Sequence, residues 1–327
     1  MNPSPLLSPE EIAARAGQQA SLLYMPVRGE VFADRAIRLR QRAAGHAMRD
    51  YLLLVADIAQ AQHAVLQDFP AVRVPDPQAL MAAAYAGQPP LPAPLWPRAP
   101  QWRDGLHPIL DALLQRLPSG PTRTAVEALR GAPDEMLERQ ADRLLDGVTL
   151  GLDLAAAPFI AAALQVYWTH LVLATQEAHG TDRLPPFGRV DDPTRCPCCG
   201  SRPVASVIRI DPGAGGLRYL QCSLCSTQWH MVRVKCSRCL STKGIEYRLL
   251  APMDGGETAR QPAVEAETCD ECGSYLKIVR RDRDPLVEAV ADDLASVTLD
   301  LLVEQAGFEN HGVNLMLLFG DPDGGGG

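Results

Sequence analysis

The sequence predicts an α+β fold: an all-helical N-terminal domain, two tandem knuckle-and-hairpin metal modules, and a C-terminal helix. Three observations carry this. Apolar residues recur every three or four positions through the first part of the chain, to about Thr181. All nine cysteines then fall between Cys196 and Cys272, eight of them in Cys-x-x-Cys pairs. Helical spacing returns from Leu286 to Gln305. These changes of pattern place the helical domain at 1–183, the first four-cysteine module at 184–234 and the second at 235–283. The C-terminal helix and a Gly-rich tail occupy 284–327.

In chain order, Ser8-Pro9-Glu10-Glu11 reads as a helix start, with Ser8 as N-cap, Pro9 at the first helical position and Glu11 closing a capping box. From Gly29 to Phe69, residues Phe32, Ala36 and Leu39, then Leu52, Ala56, Ala59, His63 and Leu66, mark one helical stripe. The Pro-rich stretch Gln88–Pro100 predicts a linker or surface crossover, because proline lacks the N–H that helices and inner strands need. Helical patterns resume at Gly105–Leu117, Thr122–Arg130, Asp134–Leu145 and Pro158–Ala178. Gly180–Pro193 is the expected boundary between domains. In Leu286–Gln305, Asp284 is the expected N-cap. Val287, Val290, Leu294, Val297, Leu301 and Leu302 form the expected buried stripe, with Asp292, Asp293 and Asp300 on a solvated face. Gly324–Gly327 reads as a flexible end.

Between Val190 and Arg283 helical periodicity disappears. Pro203–Ile210 and Leu217–Cys222 read as two strands joined by a turn at Asp211–Gly216. This hairpin has a cysteine pair at each open end. The pattern recurs: Cys236-Ser237-Arg238-Cys239, a strand at Gly244–Leu250, a turn at Pro252–Gly256, and a strand at Val264–Cys269 leading to Cys272. Two such knuckles can close four thiolates on one tetrahedral metal. The expected grouping is Cys196, Cys199, Cys222 and Cys225 on one metal, and Cys236, Cys239, Cys269 and Cys272 on the other; an interleaved pairing is the alternative. Gly200 and Gly273 stand where each knuckle's turn favours positive φ. Cys198 is a ninth, spare thiol, with a redox-sensitive or exchanging ligand as its sharper reading. His230 reads as a hydrogen-bonded structural residue, or else as a donor to a thiolate. Zinc and iron both accept four thiolates, so the ligand set does not choose between them.

Composition narrows the function. The chain has 327 residues and a formal net charge of −8. The segment Arg189–Arg283 carries 15 Lys+Arg against 11 Asp+Glu, so it alone is basic. Arg233, Lys235, Arg238 and Lys243 lie around the central knuckles, where they offset the charge of bound thiolates or else form a solvated surface or a docking face for an acidic partner. The acidic remainder argues against nucleic-acid binding, which draws most of its affinity from phosphate contacts. The uncharged stretch Leu154–Gln176 is long enough to span a bilayer, but its polar interruptions and alanine content predict a buried bundle helix. The N-terminus lacks the pattern of a secretory signal. Paired, metal-type cysteines place the protein in the cytoplasm. No Walker loop or G-x-S-x-G elbow occurs, and two closed four-thiolate sites leave no open coordination position, so no enzyme activity and no catalytic residue is expected.

The motifs CPCCGSRPVAS from Cys196, YLQCSLCSTQWHMVRVKCSRC from Tyr219, ETCDECGSYLKIVRRDRDPLVEAVADDLASVTLDLL from Glu267 and GFENHGVNLMLL from Gly307 resemble the FdhE-type formate dehydrogenase accessory proteins. FADRAIRLRQRAAGHAMRDYL in the N-terminal half fits as well. The one departure is Cys198, where an apolar residue is expected in that family. The resemblance implies a cytoplasmic maturation factor that binds the catalytic subunit of formate dehydrogenase. It further implies two rubredoxin-like or zinc-ribbon modules holding two irons, or zinc instead, on the eight paired cysteines. The helical domain or the Trp229-His230 region would hold the client. A zinc-ribbon nucleic-acid-binding protein and a rubredoxin-like electron-transfer protein are the alternatives.

Overall fold

The structure, a computed structural model, describes residues 21–181, 185–211, 214–250 and 261–318. The expected helix start at Ser8, the centres of both hairpin turns and the Gly324–Gly327 end lie outside these residues.

Among the described residues, seven helices fill the N-terminal half: α1 (Val31–Ala43), α2 (Arg49–Gln67), α3 (Pro77–Tyr85), α4 (Gln101–Leu114), α5 (Pro121–Arg130), α6 (Asp134–Asp146) and α7 (Ala157–His179). The stripe read from Gly29 to Phe69 is two helices, broken where Gly45 takes φ +70°. Helix α3 follows a local signal: the Asp76 carboxylate accepts the Ala79 amide at 2.8 Å, and Pro77 opens the helix. Helix α7 is the centre of the bundle. It is long and apolar enough to cross a membrane, but 83% of its apolar window is buried inside the fold. A helix apolar on every side needs partners on every side, and α2, α4 and α6 supply them. Its few polar groups are used internally. Gln165 donates to the Ser223 carbonyl at 2.7 Å and accepts from Gln62 and Arg35.

The strands are β1 (Leu23–Tyr24), β2 (Pro203–Asp211), β3 (Ala214–Cys222), β4 (Gln228–His230), β5 (Ile245–Arg248), β6 (Val264–Cys269), β7 (Ser274–Arg280) and β8 (Glu309–Asn310). The hairpins β2–β3 and β5–β6 stand where the sequence predicts them. They are not separate beads. Strand β7 leaves the fourth knuckle, pairs antiparallel with β6 and lies parallel to β2, with Ser206 opposite Ile278. One sheet of order β1-β4-β3-β2-β7-β6-β5 results, with β8 on β7.

The C-terminal segment differs most from its sequence reading. It forms two short helices, α8 (Ala289–Leu294) and α9 (Val297–Gln305), and Glu288 caps α8 in place of Asp284. The break at Ala295-Ser296 resets the helical phase. Leu299 and Val303 turn inward while Leu301 and Leu302 are about half exposed. Asp292 and Asp293 are buried, contrary to the solvated face expected for them. Asp292 takes two bonds of 2.8 Å from Arg38 of α1, and Asp293 and Asp300 flank the buried Lys277 of β7 at 2.9 and 2.6 Å. Buried charges survive only when paired and hydrogen-bonded.

Candidate metal centres

All four knuckles use one backbone turn. The residue after the second cysteine lies in the left-handed region each time: Gly200 at φ +72°, Ser226 at +60°, Leu240 at +64° and Gly273 at +63°. The two glycines announce this in the sequence. Ser226 and Leu240 do not, and they adopt the conformation at a cost of about 1–2 kcal/mol each. The turn is closed by amides donating across it, Gly200 to the Cys196 carbonyl at 2.8 Å and Leu240 to the Cys236 carbonyl at 3.1 Å. Other amides point at sulfur. Leu224 and Cys225 N–H lie 3.3 and 3.4 Å from Cys222 Sγ, and Arg238 N–H lies 3.4 Å from Cys236 Sγ. Donation of this kind favours the thiolate.

The turns bring the sulfurs into two groups, Cys196, Cys199, Cys222 and Cys225, and Cys236, Cys239, Cys269 and Cys272. Within each group all four sulfurs lie within 4.8 Å of one another. The grouping is sequential, not interleaved. The nine cysteines are free thiols. A tetrahedron with metal–sulfur bonds of about 2.3 Å has an edge of about 3.8 Å. The second group shows 3.8 Å between Cys236 and Cys272 and between Cys239 and Cys269. The first is slightly tighter, at 3.4–3.6 Å. Both donor sets therefore fit a tetrahedral thiophilic cation.

Electrostatics point the same way. Burial pushes the Cys196 and Cys222 thiols well above the ordinary value and raises Cys236 to about 12. Burial opposes ionisation of Cys225 and Cys272 as well. There, however, hydrogen bonds from the neighbouring thiols, and from Ser274 to Cys272, outweigh it and bring both below the ordinary value. Burial thus favours protonated thiols in both groups, and these are protons that a divalent cation would displace.

The surroundings of the two groups differ. The first is wholly buried and continuous with the helical core. The Pro-rich Gln88–Pro100 stretch is no free linker but a strap across it. Leu91 and Ala93 N–H donate to the Cys198 and Cys199 carbonyls at 3.0 and 2.9 Å, and Trp168 donates to the Leu91 carbonyl at 3.3 Å. Arg35, fully buried, reaches Ser226 Oγ at 3.5 Å and pairs with Glu288 at 3.2 Å. The second group belongs to neither apolar cluster; Cys239 is exposed and Cys272 half-buried.

Cys198 is buried outside the group of four sulfurs. The His230 ring packs edge-on against Tyr219 at 5.7 Å and joins neither group. Trp229 is buried and donates to the Pro193 carbonyl at 2.9 Å, so it presents no surface to a client. His311 is a residue the sequence did not single out. It lies buried behind the third knuckle, 2.9 Å from Ser237 Oγ. Burial and nearby arginines hold its pKa down at about 4.

Comparison with known proteins gives three family-model matches in succession: "FdhE, N-terminal" over residues 20–181, "FdhE, central domain" over 195–233 and "FdhE, C-terminal domain" over 234–317. The chain is 37% identical over 310 residues to a protein FdhE homolog of Klebsiella pneumoniae subsp. pneumoniae, covering 94% of each. It is 39% identical over 300 residues to protein FdhE of Salmonella arizonae, covering 91% of this chain and 92% of that one. The crystal structure of the FdhE protein from Pseudomonas aeruginosa superposes with a TM-score of 0.77 at 38% identity. The match covers 92% of this chain and 100% of that one.

Proposed function

The chain belongs to the FdhE family, and on that premise we propose that it is a cytoplasmic accessory factor for formate dehydrogenase, not itself an enzyme. It binds the catalytic subunit during maturation and carries two four-cysteine metal centres. The ligands are Cys196, Cys199, Cys222 and Cys225, and Cys236, Cys239, Cys269 and Cys272. The carrying observation is the pair of four-sulfur groups with tetrahedral spacing. Iron in both is the preferred reading, with zinc the alternative. Iron would supply a one-electron couple, and zinc would supply structure alone. The division at 1–183, 184–234, 235–283 and 284–327 remains the working description of its parts.

The chain's own groups would act through position. Amide N–H groups of the knuckles stabilise thiolate ligands. The Leu91–Ala93 strap and the Gln165–Ser223 bond tie the first centre to the helices. A client gripping the helices would therefore press directly on the frame of that centre.

Metal content and absorption spectra of protein purified without added metal test the reading, for wild type and Cys222→Ser. Two irons per chain with thiolate-to-iron charge-transfer bands are expected, falling to one in the variant. Two zincs would retain the accessory role and remove the redox one. Absence of stoichiometric metal, with a variant as stable as wild type, overturns the proposal.

A further inference from the structure

The stretch from Val232 to Leu250 enters and leaves the third knuckle and is, among the described residues, the most exposed part of the sheet region. It holds five basic residues and one acidic one, in a chain whose net charge is −8. Arg238 is paired with Glu309, and Arg248 with Glu246. Among the described residues, Arg233, Lys235 and Lys243 have no carboxylate in ion-pair contact.

Apolar side chains stand among these cations. Val232 is 51% exposed, Val234 63%, Tyr247 48% and Leu249 43%. The fold brings the two arms of this stretch together. The Tyr247 hydroxyl lies between Glu267 Oε2 at 3.2 Å and the Arg233 carbonyl at 3.3 Å, which sets strand β5 against the segment that leads into Cys236. Strand β5 is an edge of the sheet. Exposed Cys239 belongs to the same stretch, and Asp270 bounds it, with its N–H on the Gly244 carbonyl at 2.9 Å. An apolar patch threaded with unpaired cations, in an otherwise acidic molecule, is complementary to an acidic surface carrying an apolar anchor.

We infer that the Val232–Leu250 face is a docking surface for an acidic protein partner, which on binding covers the exposed Cys239 side of the second four-cysteine group. This goes beyond the proposed accessory role: it assigns the face and the chemistry of the partner, whichever protein that is. Charge steers the encounter and sets its salt dependence, while Val234, Tyr247 and Leu249 supply contact area.

The test uses the full metal-loaded chain and a fluorescein-labelled random glutamate–tyrosine copolymer, read by anisotropy across a salt series. Wild type is expected to bind with strong salt dependence. Arg233→Glu/Lys243→Glu weakens binding at least about tenfold, and Val234→Ser/Leu249→Ser about threefold with the salt slope kept. Arg73→Glu/Arg139→Glu, on the helical half, leaves binding unchanged. Bound copolymer also slows capture of the second metal by a chromogenic chelator. Should Arg233→Glu/Lys243→Glu shed its metal, Arg233→Gln/Lys243→Gln, checked for full metal content, replaces it. Each of these results overturns the inference: no binding by wild type, equal weakening by the helical-half variant, undiminished binding by the neutralised variant, and displacement of the copolymer by a short DNA duplex that binds more tightly at the same face. Metal loss from both knuckle-face variants with binding retained also overturns it, because the cations would then serve the cluster alone.

Discussion

The two four-cysteine groups share one turn geometry and differ in almost everything around it. The first sits in a continuous core with α7, a strap and a buried arginine against it; the second stands at the edge of the sheet with one sulfur exposed. The same set of four thiols would thus serve two mechanical purposes. A metal in the first group would staple the helices to the sheet. In the second it would hold only a hairpin, the fourth knuckle and their neighbours.

The largest effect that tests this contrast is a pair of ligand deletions. Cys222→Ser is expected to lose the first metal and destabilise the entire chain by on the order of 5 kcal/mol or more, since metal binding is folding energy at a closed site. Cys272→Ser is expected to lose the second metal and leave the melting of the helices within a few degrees. Calorimetry with metal analysis reads both. Equal melting of the two variants would end the comparison.

A smaller effect lies in two sets of buried ion pairs, one tied to the first group through Ser226 and one on strand β7, which leaves the fourth knuckle. Arg35→Met strands Glu288, and Lys277→Met strands Asp293 and Asp300. Removing one partner of a buried pair costs about 3–5 kcal/mol. Arg35→Met should speed chelator release of the first metal, and Lys277→Met that of the second. Urea unfolding and chelation kinetics on each variant would show whether the couplings are separate.

Acid gives the next scale. His170 in the helical core and His311 behind the third knuckle are both held near pKa 4, mainly by burial, against 6.5 when free. Their folded forms favour neutrality. The stability they support is therefore complete above pH 6.5 and drains away as pH falls towards 4, by up to about 3 kcal/mol each. His311→Gln should flatten that fall where loss of the hairpin is monitored, and His170→Gln where helix content is.

Smallest is the turn strain. Ser226→Gly and Leu240→Gly remove a left-handed β-carbon and should each change stability by no more than about 1 kcal/mol. Leu240→Gly, at the open centre, should be the more favourable of the two.

What was legible in the sequence divides along the same line as the two groups. Spacing alone placed all eight sulfurs, because a Cys-x-x-Cys turn is local chemistry. Long-range pairings were not legible. Nothing in ADDL reveals that Asp292 meets Arg38, 254 residues earlier, so the aspartates read as solvated. The break at Ala295-Ser296 carries no proline or glycine, and missing it shifted the apolar stripe onto Leu301 and Leu302. The proline strap read as a linker because its partners, the Cys198 and Cys199 carbonyls, lie a hundred residues on, roughly. Helix α3 had a readable signal in Asp76-Pro77.

The pairing at the β1 edge of the sheet bears on how the chain is made. Strand β1 pairs with β4, and the Tyr219 hydroxyl reaches the Ser21 carbonyl across 198 residues. During synthesis the helices leave the ribosome long before those partners exist. The N-terminal segment must wait, unpaired, until the first knuckles have emerged. Domains generally fold in the order they are synthesised, yet here the earliest strand is among the last to find its place. Pairing of β1 therefore waits on the cysteine-rich middle of the chain, and if the proposed metals order the first two knuckles, a shortage of metal during translation would leave that edge of the sheet open.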